Sequence, residues 1–312
     1  MKKDIWNYIY SFLLSIILIL LIAIFFNLTK DEYNIKNNMV NKKTLTNSGL
    51  LEFEQPISKS EKRSILLHDL IDQGEEEFQL FDRFMKDRKK EEPKAKVAII
   101  IDDIGYQMEV VEQINKLTFP VAISILPFMP YSQLAAEKGK EKGLTVLLHL
   151  PMEPHDANIN PGKGAIFTTM NEQEIRAKIS ANLKDIPNID GVNNHMGSKA
   201  TEDVYTMRIV LKELKERDLF FVDSRTSPNS IGYELSKEMD INAAQRDIFL
   251  DNEQNVEYIR NQVMALKGLA LKNGYAIAIG HPYCNTITVL NEIESMLEPD
   301  GIEIVRLEEL LE

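Results

Sequence analysis

From Lys94 onward the sequence alternates between short apolar runs, each closed by a polar residue or proline, and longer amphipathic, charged stretches. The runs are KVAIII (96–101), PVAISIL (120–126), LTVLLHL (144–150), IDGVNNH (189–195), DLFFVDS (218–224), a weak INAAQRD (241–247) and YAIAIGH (275–281). They suit strands buried on both faces, and segments such as NEQEIRAKISANLKDI and DVYTMRIVLKELKERD between them suit amphipathic helices. Strands and helices in alternation give parallel βα units. Seven units, with a last strand-like IEIVRL near the C-terminus, fit a distorted (β/α) barrel as well as a doubly wound sheet.

The chain has 312 residues, of which 44% are hydrophobic, enough for one large globular domain with additions. A formal net charge of -12 without a dominant basic patch argues against a nucleic-acid partner, which needs positive surface. The single cysteine, Cys284, excludes an intrachain disulfide and leaves the compartment open. It is expected to be a packing residue.

Ahead of the alternating region, Lys2 and Lys3 precede an apolar run from Trp6 to Leu28. About 20 apolar residues cross a bilayer as a helix, and Phe25-Phe26-Asn27-Leu28 offers no small-residue cleavage site. Residues 1–28 are therefore expected to form an uncleaved, single-pass membrane anchor, a buried core helix being the alternative. The two lysines before the span, against TKDE after it, favour an extracytoplasmic domain. Residues 29–93 read as a linker: polar to about residue 60, then apolar at helical spacing (Leu67, Leu70, Ile71, Phe78, Phe81, Met85) with a break at Gly74. His68 belongs to this stretch as a helix-surface residue.

In parallel βα architectures, ligands gather where strands end and βα loops begin. The residues at those ends are Asp102 and Asp103, His149, Asn194 and His195, Asp223 and Arg225, and His281. Three of the four histidines in this region sit there; the fourth, His155, follows soon after His149. Imidazoles and carboxylates on one open rim suit a divalent metal, with zinc the best match. Two adjacent carboxylates then divide the work. One binds the metal and is relieved of like-charge repulsion, while the other takes a proton from water. The competing reading of Asp102–Asp103 is a cap for the following helix.

Together IIIDDIG, LLHLPMEP, GVNNHMGS, FVDSRTS and AIGHPY resemble the divergent polysaccharide deacetylases, relatives of the NodB-type carbohydrate esterases. The resemblance runs from about Lys94 to the C-terminus and implies a distorted (β/α) barrel of about seven strands with a divalent-metal hydrolase site. It implies Asp102 as base, Asp103 and His149 as metal ligands, and His281 as general acid. The family's second metal histidine, one helical turn after the first, has no counterpart here, because HLPMEPH is too proline-rich for a helical turn. His195 is expected to replace it, with His155 and Glu153 as alternatives. Asp223 can orient a histidine and Arg225 can bind an anionic group, or the two can pair with each other. Asn194 and Ser198 can hydrogen-bond substrate or simply shape a turn. The expected activity is metal-dependent deacetylation of N-acetyl amino sugars in a cell-surface polysaccharide; the alternative is an inactive glycan- or envelope-binding protein on the same barrel.

Overall fold

A computed structural model of the protein describes residues 93–312. The expected anchor, the linker up to residue 92 and His68 lie outside the described residues. Among the described residues no helix is long and apolar enough to cross a membrane.

One parallel sheet organises the described region. Its strands are β1 (Ala95–Ile104), β2 (Ala122–Ile125), β3 (Thr145–Met152), β4 (Gly191–Met196), β5 (Phe220–Asp223), β6 (Ala243–Gln245), β7 (Ile248–Phe249), β8 (Tyr275–Gly280) and β9 (Ile302–Ile304). Every predicted run holds a strand; the two-residue β7 is additional. The helices are α1 (Met108–Ile114), α2 (Ser132–Lys142), α3 (Glu172–Asp185), α4 (Val204–Lys215), α5 (Gly232–Glu238), α6 (Val256–Asn273), α7 (Cys284–Leu290) and α8 (Ile293–Leu297). Local chemistry sets their ends. Asn171 and Glu174 form a reciprocal capping box at α3, and Gly143, at φ 79°, closes α2.

The strand order is β6-β5-β4-β3-β2-β1-β8-β7, with β9 added beside β1. The two ends of this path, β6 and β7, do not pair, yet only Arg246 and Asp247 separate them in the chain. So short a link reaches roughly 10 Å. The sheet must therefore curl until its edges nearly meet. The result is a curled half-barrel with a seam, which decides against the flat doubly wound alternative and gives the expected distorted barrel its form.

Side-chain alternation along each strand separates two cores. Val97, Ile99, Ile101, Ile123, Val146, Leu148, Val192, Phe221, Ala276 and Ala278 pack outward in one cluster with Val111, Ile179, Val210 and Val263 of the helices. Ala98, Ile100, Ala122, Leu147, Phe220, Val222, Ile277 and Ile279 form a smaller cluster with Val305, Leu307 and Leu310 of the C-terminal segment. That segment closes the end of the sheet where strands begin. Glu308 there accepts from Thr145 Oγ1 at 2.6 Å, and Glu312 from the Tyr275 hydroxyl at 2.8 Å.

Candidate metal centre

Continuing each inward row past its apolar residues gives a polar layer at the opposite, C-terminal end. Ala98 and Ile100 lead to Asp102, Ala122 to Ser124, Leu147 to His149, Phe220 and Val222 to Ser224, and Ile277 and Ile279 to His281. On β4 the inward row is Gly191, Asn193, His195. The β3–β4 register sets Asn193 beside His149 and His195 beside Pro151. Asp103 would face outward by alternation, but the β1–β2 register shifts between Ile101 and Ile104. The residue adopts a left-handed φ of 57°, a conformation costly for a residue with a Cβ.

Three ligand-type atoms converge in this layer: Asp103 Oδ1, His149 Nε2 and His195 Nδ1. Asp103 Oδ1 lies 3.3 Å from His149 Nε2 and 3.1 Å from His195 Nδ1, and the two nitrogens are 3.1 Å apart. Asp103 Oδ1 is buried and meets neither nitrogen along a hydrogen-bonding direction. A tetrahedral ion with bonds of about 2.0–2.1 Å holds its ligands roughly 3.3 Å apart. The triangle, its orphaned oxygen and its His/His/Asp donor set therefore fit a divalent cation. Burial alone would raise the Asp103 pKa, but the two imidazoles beside it hold the carboxyl well below the usual carboxylate range.

Asp102 borders this triangle. Its Oδ2 lies 3.5 Å from His149 Nε2, and its Oδ1 accepts from Asn193 Nδ2 at 2.8 Å. Burial pushes its pKa up, against the opposing charges of His149 and His281. His281 stands across the rim, its charge acting on both Asp102 and Asp103. Burial works against its protonated form, yet its bond to Asp251 and the surrounding carboxylates carry the ring up to about 9. Phe249 stacks on the His281 ring with centroids 6.1 Å apart, and Arg246 lies 3.8 Å from the other aromatic centroid, that of Phe249.

The remaining predicted residues serve the loops. Asn194 is buried facing away from the inner row; its Oδ1 accepts from Ser224 N–H and its Nδ2 donates to Met196 O. Ser198 Oγ accepts from the His155 backbone N–H at 2.9 Å. Asp223 points outward on β5 and accepts from the backbone N–H groups of Arg225 and Tyr233 and from the Ser230 hydroxyl. It does not orient a histidine. Arg225 donates to the carbonyls of Ser230 and Pro228 and lies 3.5 Å from Glu234, so its guanidinium is engaged there and the alternative Asp223–Arg225 ion pair does not form. His155 is exposed and meets Glu202 at 3.1 Å, while Glu153 is held by Lys199 and Thr168. Neither joins the triangle. Cys284 is exposed rather than packed.

Asn193 and Asp251 were not among the predicted residues. The signal for Asn193 was its alternation with His195. The signal for Asp251 was a second apolar run ending in a carboxylate, IFLD (248–251), hidden beside the weak run before it.

A sequence profile described as divergent polysaccharide deacetylase matches residues 99–311. The chain belongs to this family. Over 212 residues it is 34% identical to an uncharacterised protein of Haemophilus influenzae (strain ATCC 51907 / DSM 11121 / KW20 / Rd), a match covering 68% of this chain and 75% of that one. Over 216 residues it is 35% identical to the uncharacterised protein YibQ of Escherichia coli (strain K12), covering 69% and 67% respectively. A solved structure of an uncharacterised Agrobacterium tumefaciens C58 protein shares the fold of this family member. Its TM-score is 0.66 at 22% identity, over 69% of this chain and 89% of that one.

Proposed function

We propose that the protein is a metal-dependent hydrolase that removes acetyl groups from N-acetyl amino sugars of a cell-surface polysaccharide. The observation that carries this reading is the Asp103–His149–His195 triangle, edged at 3.1 to 3.3 Å, in a chain of this family. Those three residues would hold the cation, and their donor set suits zinc. When bound, the ion would polarise the amide carbonyl as a Lewis acid and lower the pKa of water beside it toward about 7.

The chain's own groups supply the proton transfers. Asp102, raised by burial, takes the proton of the attacking water. His281, raised to about 9, is protonated near neutrality and donates to the departing amine nitrogen. Asp251 keeps the His281 ring oriented for that donation. The apolar run from Trp6 to Leu28 supports tethering of this site to a membrane, with the domain outside the cytoplasm; protease accessibility in intact cells checks that placement.

The test of the reading is acetate release from an N-acetylated chitooligosaccharide by the purified chain, with and without a chelator. Release abolished by chelation and restored by zinc is the expected result. Tight glycan binding without release would replace the hydrolase with a glycan-binding protein on the same barrel.

A further inference from the structure

The Asn193 side chain is fully buried and has a partner at both ends of its amide. Its Oδ1 accepts from His149 Nδ1 at 2.8 Å and from the Ser124 hydroxyl. Its Nδ2 donates to Asp102 Oδ1 at 2.8 Å and to Ser224 Oγ at 3.3 Å. One amide thus links β1, β2, β3 and the residue that follows β5.

The orientation of this amide is chemically determined. An ionised Asp102 only accepts hydrogen bonds, so it faces the NH2 end, and the amide oxygen faces His149. An oxygen can be met there only by Nδ1–H, which leaves Nε2 of the neutral ring without a proton. Nε2 is the nitrogen that lies beside Asp103 Oδ1 and His195 Nδ1. An aspartate at position 193 could serve His149 equally well, but would set a second negative charge against Asp102. The neutral amide satisfies both neighbours.

We propose that Asn193 is a positioning residue that sets two groups with one side chain: the tautomer of His149 and the orientation of Asp102. The inference rests on the metal-dependent reading given above. It makes the two halves separable by substitution. Asn193→Asp keeps the acceptor for His149 and loses the donor to Asp102, whereas Asn193→Leu loses both.

The test uses the full-length chain in two measurements. In the first, 15N NMR of the histidine rings is recorded on metal-free protein at a pH where the rings are neutral. Wild type is expected to carry the His149 proton on Nδ1; a proton on Nε2 overturns the proposal. In the second, zinc affinity is measured by calorimetry. Asn193→Leu is expected to bind zinc about 10–100-fold more weakly, while Asn193→Asp matches or exceeds wild type yet turns over the glycan at least about tenfold more slowly. Equal loss of affinity in both variants, or none in Asn193→Leu, removes the His149 role, and unchanged turnover in Asn193→Asp removes the Asp102 role. Should Asn193→Leu fail to fold, the wild-type tautomer and the Asn193→Asp comparison still decide. If wild type binds no zinc but shows the Nδ1–H tautomer, the metal reading fails while the positioning of His149 stands.

Discussion

Asp251 grips His281 twice: its Oδ1 accepts from the ring Nδ1 at 2.8 Å, and its Oδ2 from the backbone N–H at 2.6 Å. The same Oδ2 accepts from the Thr286 hydroxyl at 2.7 Å. The carboxylate therefore fixes both the place of His281 and its affinity for a proton.

The ring binds its proton more tightly in the folded chain, at about 9, than in the unfolded chain, at about 6.5. Its contribution to stability is thus complete below pH about 6.5 and lost as the pH rises to about 9. NMR titration should place the wild-type midpoint near 9 and move the Asp251→Asn midpoint down, because the hydrogen bond and charge of Asp251 are lost while those of Asp102 and Asp103 remain. The alkaline limb of the proposed acetate release should move toward acid in the same direction.

Metal content separates the histidines. His195→Gln and Asp103→Asn should each abolish stoichiometric zinc in elemental analysis of the purified chain. His155→Ala should retain it, because that ring is exposed against Glu202.

Asn194 is predicted to matter for stability instead of metal. Asn194→Ala strips the side-chain acceptor from the Ser224 N–H and one of two donors from the Met196 carbonyl, which keeps the Thr226 hydroxyl. Denaturant unfolding should show a loss of about 1–3 kcal/mol, with zinc affinity unchanged.

Gly191 starts the β4 row that carries Asn193 and His195. A Cβ there would stand 2.5 Å from the Phe220 ring. Gly191→Ala should cost about 1–3 kcal/mol by overpacking, measured as a lowered denaturation midpoint.

The strands were legible because each buried run is short, apolar and bounded. The rim was legible because parallel strands deliver their ends to one place. What the linear pattern obscured was direction. Asn194 and Asp223 sit at strand ends but on the outward parity, so loop backbone groups take their bonds. Asn193, one residue earlier, shares the inward parity of His195. Asp103 breaks the rule through its register shift and positive φ, which no alternation pattern announces. Asp251 escaped notice because β7 is only two residues long. The choice among His195, His155 and Glu153 needed the third dimension, since Lys199 and Glu202, which engage the latter two, come from a different loop.

The seam between β6 and β7 has a mechanical consequence. The groups assigned to chemistry stand on β4, β3 and β1 and just past β8, within a continuous run of laddered strands. The break lies at the far side of that run, bridged by the Arg246 guanidinium, which donates to the carbonyls of Ser224 and Arg225 while lying over Phe249. Backbone bonds cross the break as well, Arg246 N–H donating to Asp223 O and Asp247 N–H to Ile277 O. One dipeptide thus ties β5 to β8, so the rim is held together by turn backbone and a guanidinium where the ladder itself stops.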